Sequence, residues 1–507
     1  MAAWVIVAAA LALRVAHVLT IRDYPLFDVL PLDSESYDSW ARAIAAGERA
    51  RGRPFYQAPL YAYVLALLHS ITGGDLLAPR LLNALLGTVN VALVMRLGRL
   101  TFGRTAGLVA GALCALHGTF LFEEGKVMKT TLGVALATAT LVLLVEARRR
   151  TAADASDGRK PARTAGRSAE AWWFAAGLVG ALAALVRENF LLFVAAAVLW
   201  TAWRFRAVGP RPALALAAGA AIGLAPSATH NFSYDGELLP ITSQAGQNLY
   251  TGVHAGNPHG GYLVPDYVRR SPRFEETDFA AEAERRTGRA MTPGEVSRYW
   301  LGQALAELRA DPGRLPVLIV RKLGLLYNDF EIPDDEDLRF FRRYAPVLRL
   351  PLPGFGLIAA LGLAGLAAAA WRRSAPPELV LFVVTYSLSV ALFFVFSRYR
   401  LPLVAPLAVF AGSFVQVAWG AVRRDRWRPL AAGAALVVAF AAFLFRPLDV
   451  SYTFANSNLS MGMAHEVKGR PDEAMEEYRR GLELEPENAK LLRRAARIAS
   501  DGAASGG

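Results

Sequence analysis

Cysteine is almost missing: Cys114 is the only one in 507 residues. A single thiol closes no internal disulfide and builds no thiolate metal cage, so a disulfide scaffold and a cysteine-ligated metal module are excluded. Charge is scarce as well, at 19% of residues, against about 25% in average soluble chains. That scarcity, with no long polar or glycine-periodic tract, excludes a disordered or collagen-like chain. What fills the space is apolar: 54% of residues are hydrophobic and the mean hydropathy is +0.30. Lys and Arg number 55 against 43 Asp and Glu, a formal net charge of +12. In a soluble protein that excess would point to nucleic acid. In a membrane protein it belongs in cytoplasmic loops, so the placement of the basic residues decides.

A bilayer core of about 30 Å takes roughly 20 apolar helical residues. Eleven segments qualify, at 2–20, 80–97, 105–122, 127–146, 171–189, 190–205, 211–229, 351–371, 378–397, 401–421 and 429–446. The fold class is therefore an all-α polytopic membrane protein of about 11 transmembrane helices, with outer-face loops and a small C-terminal helical hairpin. Residues 59–72 are apolar but short, and are expected to lie at the interface. With the N-terminus in the cytoplasm, the arginines at 96–104, 148–167, 204–211, 372–373 and 423–428 fall in cytoplasmic loops, as the positive-inside rule asks. The basic excess is thereby absorbed and nucleic acid drops out as a partner. Segment 2–20 carries Arg14 and His17 and no clear small-residue cleavage site, so it reads as a retained first helix rather than a signal peptide. The outer face receives loops at about 21–79 and 230–350 and the tail 447–507. The small, polar stretch 151–170 reads as a flexible cytoplasmic linker.

The tail is a different module. Residues 456–490 run as a helix, a Gly-Arg-Pro turn and a second helix ending near Pro486. With Gly462, Ala474, Tyr478 and Pro486 in place, the pattern resembles one tetratricopeptide repeat. Residues 488–500 make a third, capping helix. A lone repeat needs a neighbour to bury its face, so the tail either packs on the membrane domain or receives a protein partner.

Polar clusters sit where the spans end on the outer side. The first loop holds Asp33, Glu35 and Asp38, with Tyr37, Trp40, Ala41 and Ile44 at helical spacing. A helix starting near Ser34 or Ser36 places Asp33 at its cap. A carboxylate there satisfies helix N–H groups, and it also suits the work of a base toward a bound hydroxyl. Glu123 and Glu124 occupy the next outer turn, followed by Lys126 and Lys129. Arg187, Glu188 and Asn189 form a third cluster, for which a local Arg187–Glu188 pair is the plain account. Arg398 and Arg400 break the positive-inside trend, and guanidinium groups at that depth suit a headgroup phosphate. The large loop offers Gln244, Gln247 and Asn248 among glycines, which suits hydrogen bonding to a polyhydroxylated ligand. His254 with His259 is a weak metal pair. The run Asp334 to Asp337 is either a solvated acidic turn or a lure for calcium.

In their order these clusters resemble the membrane glycosyltransferases of the GT-C fold, on the bacterial branch near the protein O-mannosyltransferases and the lipid A aminoarabinose transferases. The resemblance covers about residues 1–446. It rests on Asp33 with Tyr37 four residues on, the run Phe55-Tyr56-Gln57-Ala58-Pro59-Leu60-Tyr61, Arg80, and the turn Phe122-Glu123-Glu124-Gly125. Pro226, His230-Asn231, Gly236, the run Gly246 to Tyr250, and Arg398-Tyr399-Arg400-Leu401-Pro402 complete it. Gln57-Ala58 stands where the aminoarabinose transferases carry a charged residue before Pro-Leu, and His230 where an arginine is frequent.

What the resemblance implies is a bacterial inner-membrane enzyme, N-terminus inside and tail outside. It transfers a sugar from a polyprenyl-phosphate donor to a hydroxyl of a lipid, glycan or protein acceptor, with inversion. Asp33 is then the catalytic base, with Glu124 orienting the acceptor. Arg398, Arg400 and Lys126 neutralise the donor phosphate. Glu35, Tyr37, Gln57, Glu123, Asn231, Gln247 and Asn248 are the candidates for sugar and acceptor contacts. No cofactor is named, no metal ligand is assigned, and a divalent metal stays an open requirement. The competing readings are a polymerase or ligase of lipid-linked glycans, and a non-enzymatic transporter or scaffold. The acidic first loop and the lack of a visible repeat between halves favour the transferase.

Overall fold

The computed structural model describes residues 1–48, 53–156, 165–448 and 452–505. Among the described residues the chain is helical and has no strand. The N-terminal part contains α1 (Ala2–Thr20), α2 (Leu32–Ala45), α3 (Leu60–Thr72), α4 (Leu77–Thr101), α5 (Arg104–Leu116), α6 (Gly118–Glu124) and α7 (Thr130–Ser156). The middle contains α8 (Ala165–Ala184), α9 (Phe190–Arg204), α10 (Arg211–Asp235), α11 (Ala245–Val253), α12 (Pro272–Thr287), α13 (Pro293–Ala310), α14 (Arg314–Leu326) and α15 (Leu338–Phe341). The C-terminal part contains α16 (Phe355–Trp371), α17 (Pro377–Leu392), α18 (Leu401–Val422), α19 (Trp427–Leu444), α20 (Ala455–Val467), α21 (Pro471–Leu484) and α22 (Ala489–Ser505).

Each of the eleven expected spans falls on a helix, but fewer are long enough to cross alone. Six pass on length and composition: α1, α4, Thr130–Asp154 of α7, Arg211–Tyr234 of α10, Ser397–Val422, and α19. A seventh, α5 with α6, is bent by 54°. The break has a local cause. His117 is extended, and its ring accepts hydrogen bonds from the N–H groups of Thr119 and Phe120, capping α6. Helices such as α9, with 15 residues, rise only about 22 Å, short of a 30 Å core. The expected linker at 151–170 is largely helix: α7 runs on to Ser156 and α8 begins at Ala165. Residues 157–164 of that stretch lie outside the described ones.

The bundle is built around α18. Leu401 to Gly412 is buried without interruption, which is what an all-round apolar sequence does when it is enclosed. Small residues let its neighbours approach. A Cβ on Gly365 of α16 would lie 2.1 Å from the Phe410 carbonyl oxygen, and one on Gly412 would lie 2.2 Å from that of Ala106 in α5. Such close backbone contact is how helices pack where lipid supplies no hydrophobic drive.

Helices α2, α3 and α11 to α15 gather at the end of the bundle where α6 leads into α7, α8 into α9, and α17 into α18. The tail docks there as well. Within it, Ala455, Leu459, Ala474, Tyr478 and Leu491 form a small core. Met461 and Ala464, on another face of α20, pack with Tyr24, Leu26 and Phe27 before α2 and with Phe340 and Phe341 of α15. An ion pair between Lys468 and Asp28, 3.2 Å, adds to the contact. The repeat thus buries a face on the membrane domain.

Candidate active site

A cavity of about 630 Å³ opens at this end of the bundle. One side is polar, with Asp33, Gln57, Lys129, Glu188, Glu275 and Arg398 among its lining. The other side is apolar, with Leu191, Leu192 and Ala195 of α9 and Leu392, Phe393, Phe394 and Phe396 at the end of α17. The two characters in one space suit a ligand with a charged, hydroxylated head and a hydrocarbon chain.

Asp33 lies in the first turn of α2, not at its cap. The helix begins at Leu32, earlier than the sequence suggested, and no side chain caps it. Leu32 itself holds φ at 39° and lines the cavity, a left-handed conformation that costs an L-residue about 1–2 kcal/mol. Strain of this kind collects at working sites. The Asp33 carboxylate is 2.6 Å from the Arg398 guanidinium, and the same guanidinium is 2.6 Å from Asp334. Gln57 donates to Asp33 at 3.5 Å and accepts from Ser36 at 3.1 Å. The base candidate therefore sits against the cation expected to face a phosphate.

The run Asp334 to Asp337 is neither a solvated turn nor a group fitted to calcium. Asp335 pairs with Lys126 at 2.8 Å, Glu336 accepts from Tyr24 at 3.2 Å, and Asp337 caps α15. Burial pushes the Asp334 carboxyl up to about 7 against the pull of Arg398. At Asp335 burial is outweighed by Lys126 and Arg398, and the carboxyl stays below its ordinary value. Among the described residues no three His, Cys, Asp or Glu converge as metal ligands. Asp33 and Asp334 converge on the Arg398 guanidinium instead. His254 bonds the Leu263 carbonyl at 2.8 Å.

Among the charged residues that line the cavity and that the sequence had not assigned are Lys129, Glu275 and Glu188. Lys129 donates to the Tyr37 hydroxyl at 2.9 Å, and burial holds its ammonium down at about 8. Glu275 of α12 bonds the Tyr262 hydroxyl, and burial together with Asp33 and Asp334 pushes it up to about 8. Glu188 accepts from Thr242 at 3.2 Å and Gln244 at 2.8 Å rather than pairing with Arg187, whose guanidinium lies 4.3 Å over the Tyr399 ring. A signal for Asp334 is present in the sequence: an arginine such as Arg398 at the end of a span needs a carboxylate, and 334–337 is an acidic run.

The other expected site residues divide. Gln57 and Asn248 line the cavity. Glu35 is exposed on α2. Tyr37 is buried behind the wall, donating to the Ala58 carbonyl at 3.2 Å. Gln247 is buried in α11 and does not line the cavity. Asn231 is a structural clasp, accepting from Phe55 N–H at 2.9 Å and donating to the Leu239 and Ile241 carbonyls. Lys126 stands one carboxylate behind the cavity, between Asp335 and Glu123 at 2.8 and 2.9 Å. Arg400 points away. It pairs with Glu331 at 2.8 Å and donates to the carbonyls of Asn328, Asp329 and Phe330.

Glu124 is also outside the cavity. It meets Arg14 of α1 at 2.9 Å, with both side chains buried. Breaking a buried pair from one side typically costs about 3–5 kcal/mol. Glu124→Ala is therefore expected to lower the melting temperature of the purified protein in detergent, and Arg14→Ala to do the same. A Glu124→Ala protein of unchanged stability that loses only turnover would return Glu124 to the chemistry.

Residues 56–155 match the family model described as dolichyl-phosphate-mannose-protein mannosyltransferase. Residues 455–498 match the tetratricopeptide repeat model. No curated protein sequence matches the chain. Among solved structures, the chain is similar to the oligosaccharyltransferase of Archaeoglobus fulgidus in the apo form, at 15% identity and a TM-score of 0.46, over 94% of this chain and 59% of that one. ArnT of Cupriavidus metallidurans, bound to undecaprenyl phosphate, gives 18% identity and a TM-score of 0.37 over 82% of this chain and 78% of that one. The chain thus spans less than two thirds of the length of the archaeal enzyme. Residues 56–155 are thus similar to the mannosyltransferase family, and residues 455–498 near the far end of the chain to a tetratricopeptide repeat.

Proposed function

We propose that the chain is a membrane glycosyltransferase that moves a sugar from a polyprenyl-phosphate donor to an acceptor hydroxyl. The observation that carries this reading is the Asp33–Arg398–Asp334 arrangement at the polar side of a cavity whose other side is apolar. The mannosyltransferase match at 56–155 supports it. In this mechanism the donor's hydrocarbon chain lies along α9 and the end of α17, and its phosphate takes the Arg398 guanidinium from Asp33. The freed carboxylate accepts the acceptor's proton as oxygen attacks the anomeric carbon. The C–O bond to the phosphate breaks, and its electron pair stays on the phosphate beside Arg398. Direct displacement inverts the anomeric carbon. The phosphate is a good leaving group, so fixed positive charge serves it in place of a general acid.

Lys129 adds positive charge to the cavity beside Arg187, Arg270 and Arg398. Its ammonium is present below about pH 8 and lost above it. The Michaelis constant for the donor is expected to rise as pH passes about 8. Lys129→Arg, which stays charged, should remove that rise. A donor Michaelis constant that is flat from pH 7 to 9.5 in the unmodified protein would take Lys129 out of donor binding.

The test of the function is transfer of label from radiolabelled polyprenyl-phosphate sugars in membranes containing the chain. Consumption of a donor, with label appearing in a new product, identifies both sugar and acceptor. A folded protein that consumes no donor across a panel of hexosyl and pentosyl lipids would sink the reading.

A further inference from the structure

We propose that the opposite end of the bundle carries a second ligand site, which holds the phosphate of an anionic phospholipid headgroup. A cavity of about 470 Å³ lies there, walled by Arg148 and Arg149 of α7, Arg204 at the end of α9, Arg373 after α16, and Pro376-Pro377 at the start of α17. Helices α9 and α17 therefore border both cavities, one at each end, and α7 runs from just after Lys129 at the first to Arg148 at the second. From Thr130 to Arg148 the rise along α7 is about 27 Å, close to the thickness of a hydrocarbon core. The arginine cavity is thus at headgroup depth when the first cavity is at the other surface.

The inside-positive rule alone scatters arginines at this end; it does not build a pocket from them. Here four guanidinium groups meet one carboxylate. Arg148 pairs with the fully buried Glu378. Arg149 donates to the Leu100 carbonyl at 2.7 Å. Arg204 stands over the Phe205 ring at 5.4 Å. Among the described residues Arg149, Arg204 and Arg373 make no ion pair within 4 Å, and Arg204 shares the field of Glu378 with Arg148. Arg373 moreover holds φ at 53°, at a helix end where glycine is the usual residue. Forked guanidinium donors from three separate elements match the oxygens of a phosphate, and basic pockets between membrane helices are where anionic headgroups settle.

The test uses the full chain, purified in a neutral detergent and examined by native mass spectrometry. The probes are phosphatidylglycerol, phosphatidylcholine and inorganic phosphate. Arg204→Gln with Arg373→Gln is compared with Arg423→Gln with Arg424→Gln, which removes the same charge outside the cavity. The expected result is retention of phosphatidylglycerol over phosphatidylcholine, weakened about tenfold or more by the first pair and little changed by the second. Displacement of the lipid by millimolar inorganic phosphate would show that the pocket also takes the free ion, and supports the phosphate assignment. Should the first pair not fold, the single Arg204→Gln is read in the same way. No preference for phosphatidylglycerol in the unmodified protein, or equal weakening by both pairs, overturns the proposal.

Discussion

Asp33→Asn is expected to insert, fold and bind donor, while transfer falls by about 10²–10⁴-fold, the usual contribution of a positioned base. The fold should survive for a local reason. Arg398 keeps Asp334 at 2.6 Å when the charge on Asp33 is lost, so no guanidinium is left buried without a carboxylate. Asn also keeps an oxygen that can take the hydrogen bond from Gln57. The loss should appear in kcat, with the donor's Michaelis constant equal or lower, because the phosphate no longer has to displace a competing carboxylate from Arg398. The measurement is single-turnover transfer from a labelled polyprenyl-phosphate sugar, beside a thermal melt of the same preparation. Full activity in Asp33→Asn would remove Asp33 from the mechanism.

The second large effect separates two arginines that the sequence treated alike. Arg398→Gln should cut kcat per folded molecule by about 10²–10³-fold, the scale for one lost group that stabilises developing charge, with a lower melting temperature because two carboxylates lose their cation. It should also place Asp33 and Asp334 in mutual repulsion and raise the donor's Michaelis constant. Arg398→Lys should recover part of the rate, since a point charge replaces a fork that meets two carboxylates. Arg400→Gln should behave differently. It abandons Glu331 and the carbonyls of Asn328, Asp329 and Phe330, and should lower the melting temperature sharply, with turnover per folded molecule nearly kept. Removing one side of such a buried pair costs about 3–5 kcal/mol. The outcome that reverses these assignments is a stable Arg400→Gln protein without turnover beside an active Arg398→Gln protein.

The contrast between these two residues shows why the sequence could not sort them. Ser397 to Arg400 forms one tight turn, and two residues of separation in such a turn point the guanidinium groups to different sides. Arg398 reaches the cavity and Arg400 the carbonyls behind it. Glu123 and Glu124 divide in the same manner at the end of α6, one toward Lys126 and the other toward Arg14. Chemical type and depth in the membrane are written in the chain; the direction of a side chain at a helix end is not.

Composition alone determined that this is a helical membrane protein, because its apolar runs have no other stable form in hydrocarbon than a helix whose backbone bonds are made internally. The order of the polar clusters placed them together at one end of the helices, and the Gly462, Ala474, Tyr478 and Pro486 pattern determined the repeat at the tail. The tertiary structure decided the rest. It joined Asp33 to Arg398 and Asp334, residues that lie more than three hundred positions apart for Asp33 and its partners. It also turned an acidic run into the countercharge of a buried guanidinium. Such pairings follow from the desolvation of charge, which makes a buried cation costly unless the fold brings it a carboxylate, carbonyls or a ring. That choice depends on packing across the whole chain and leaves no local pattern to read.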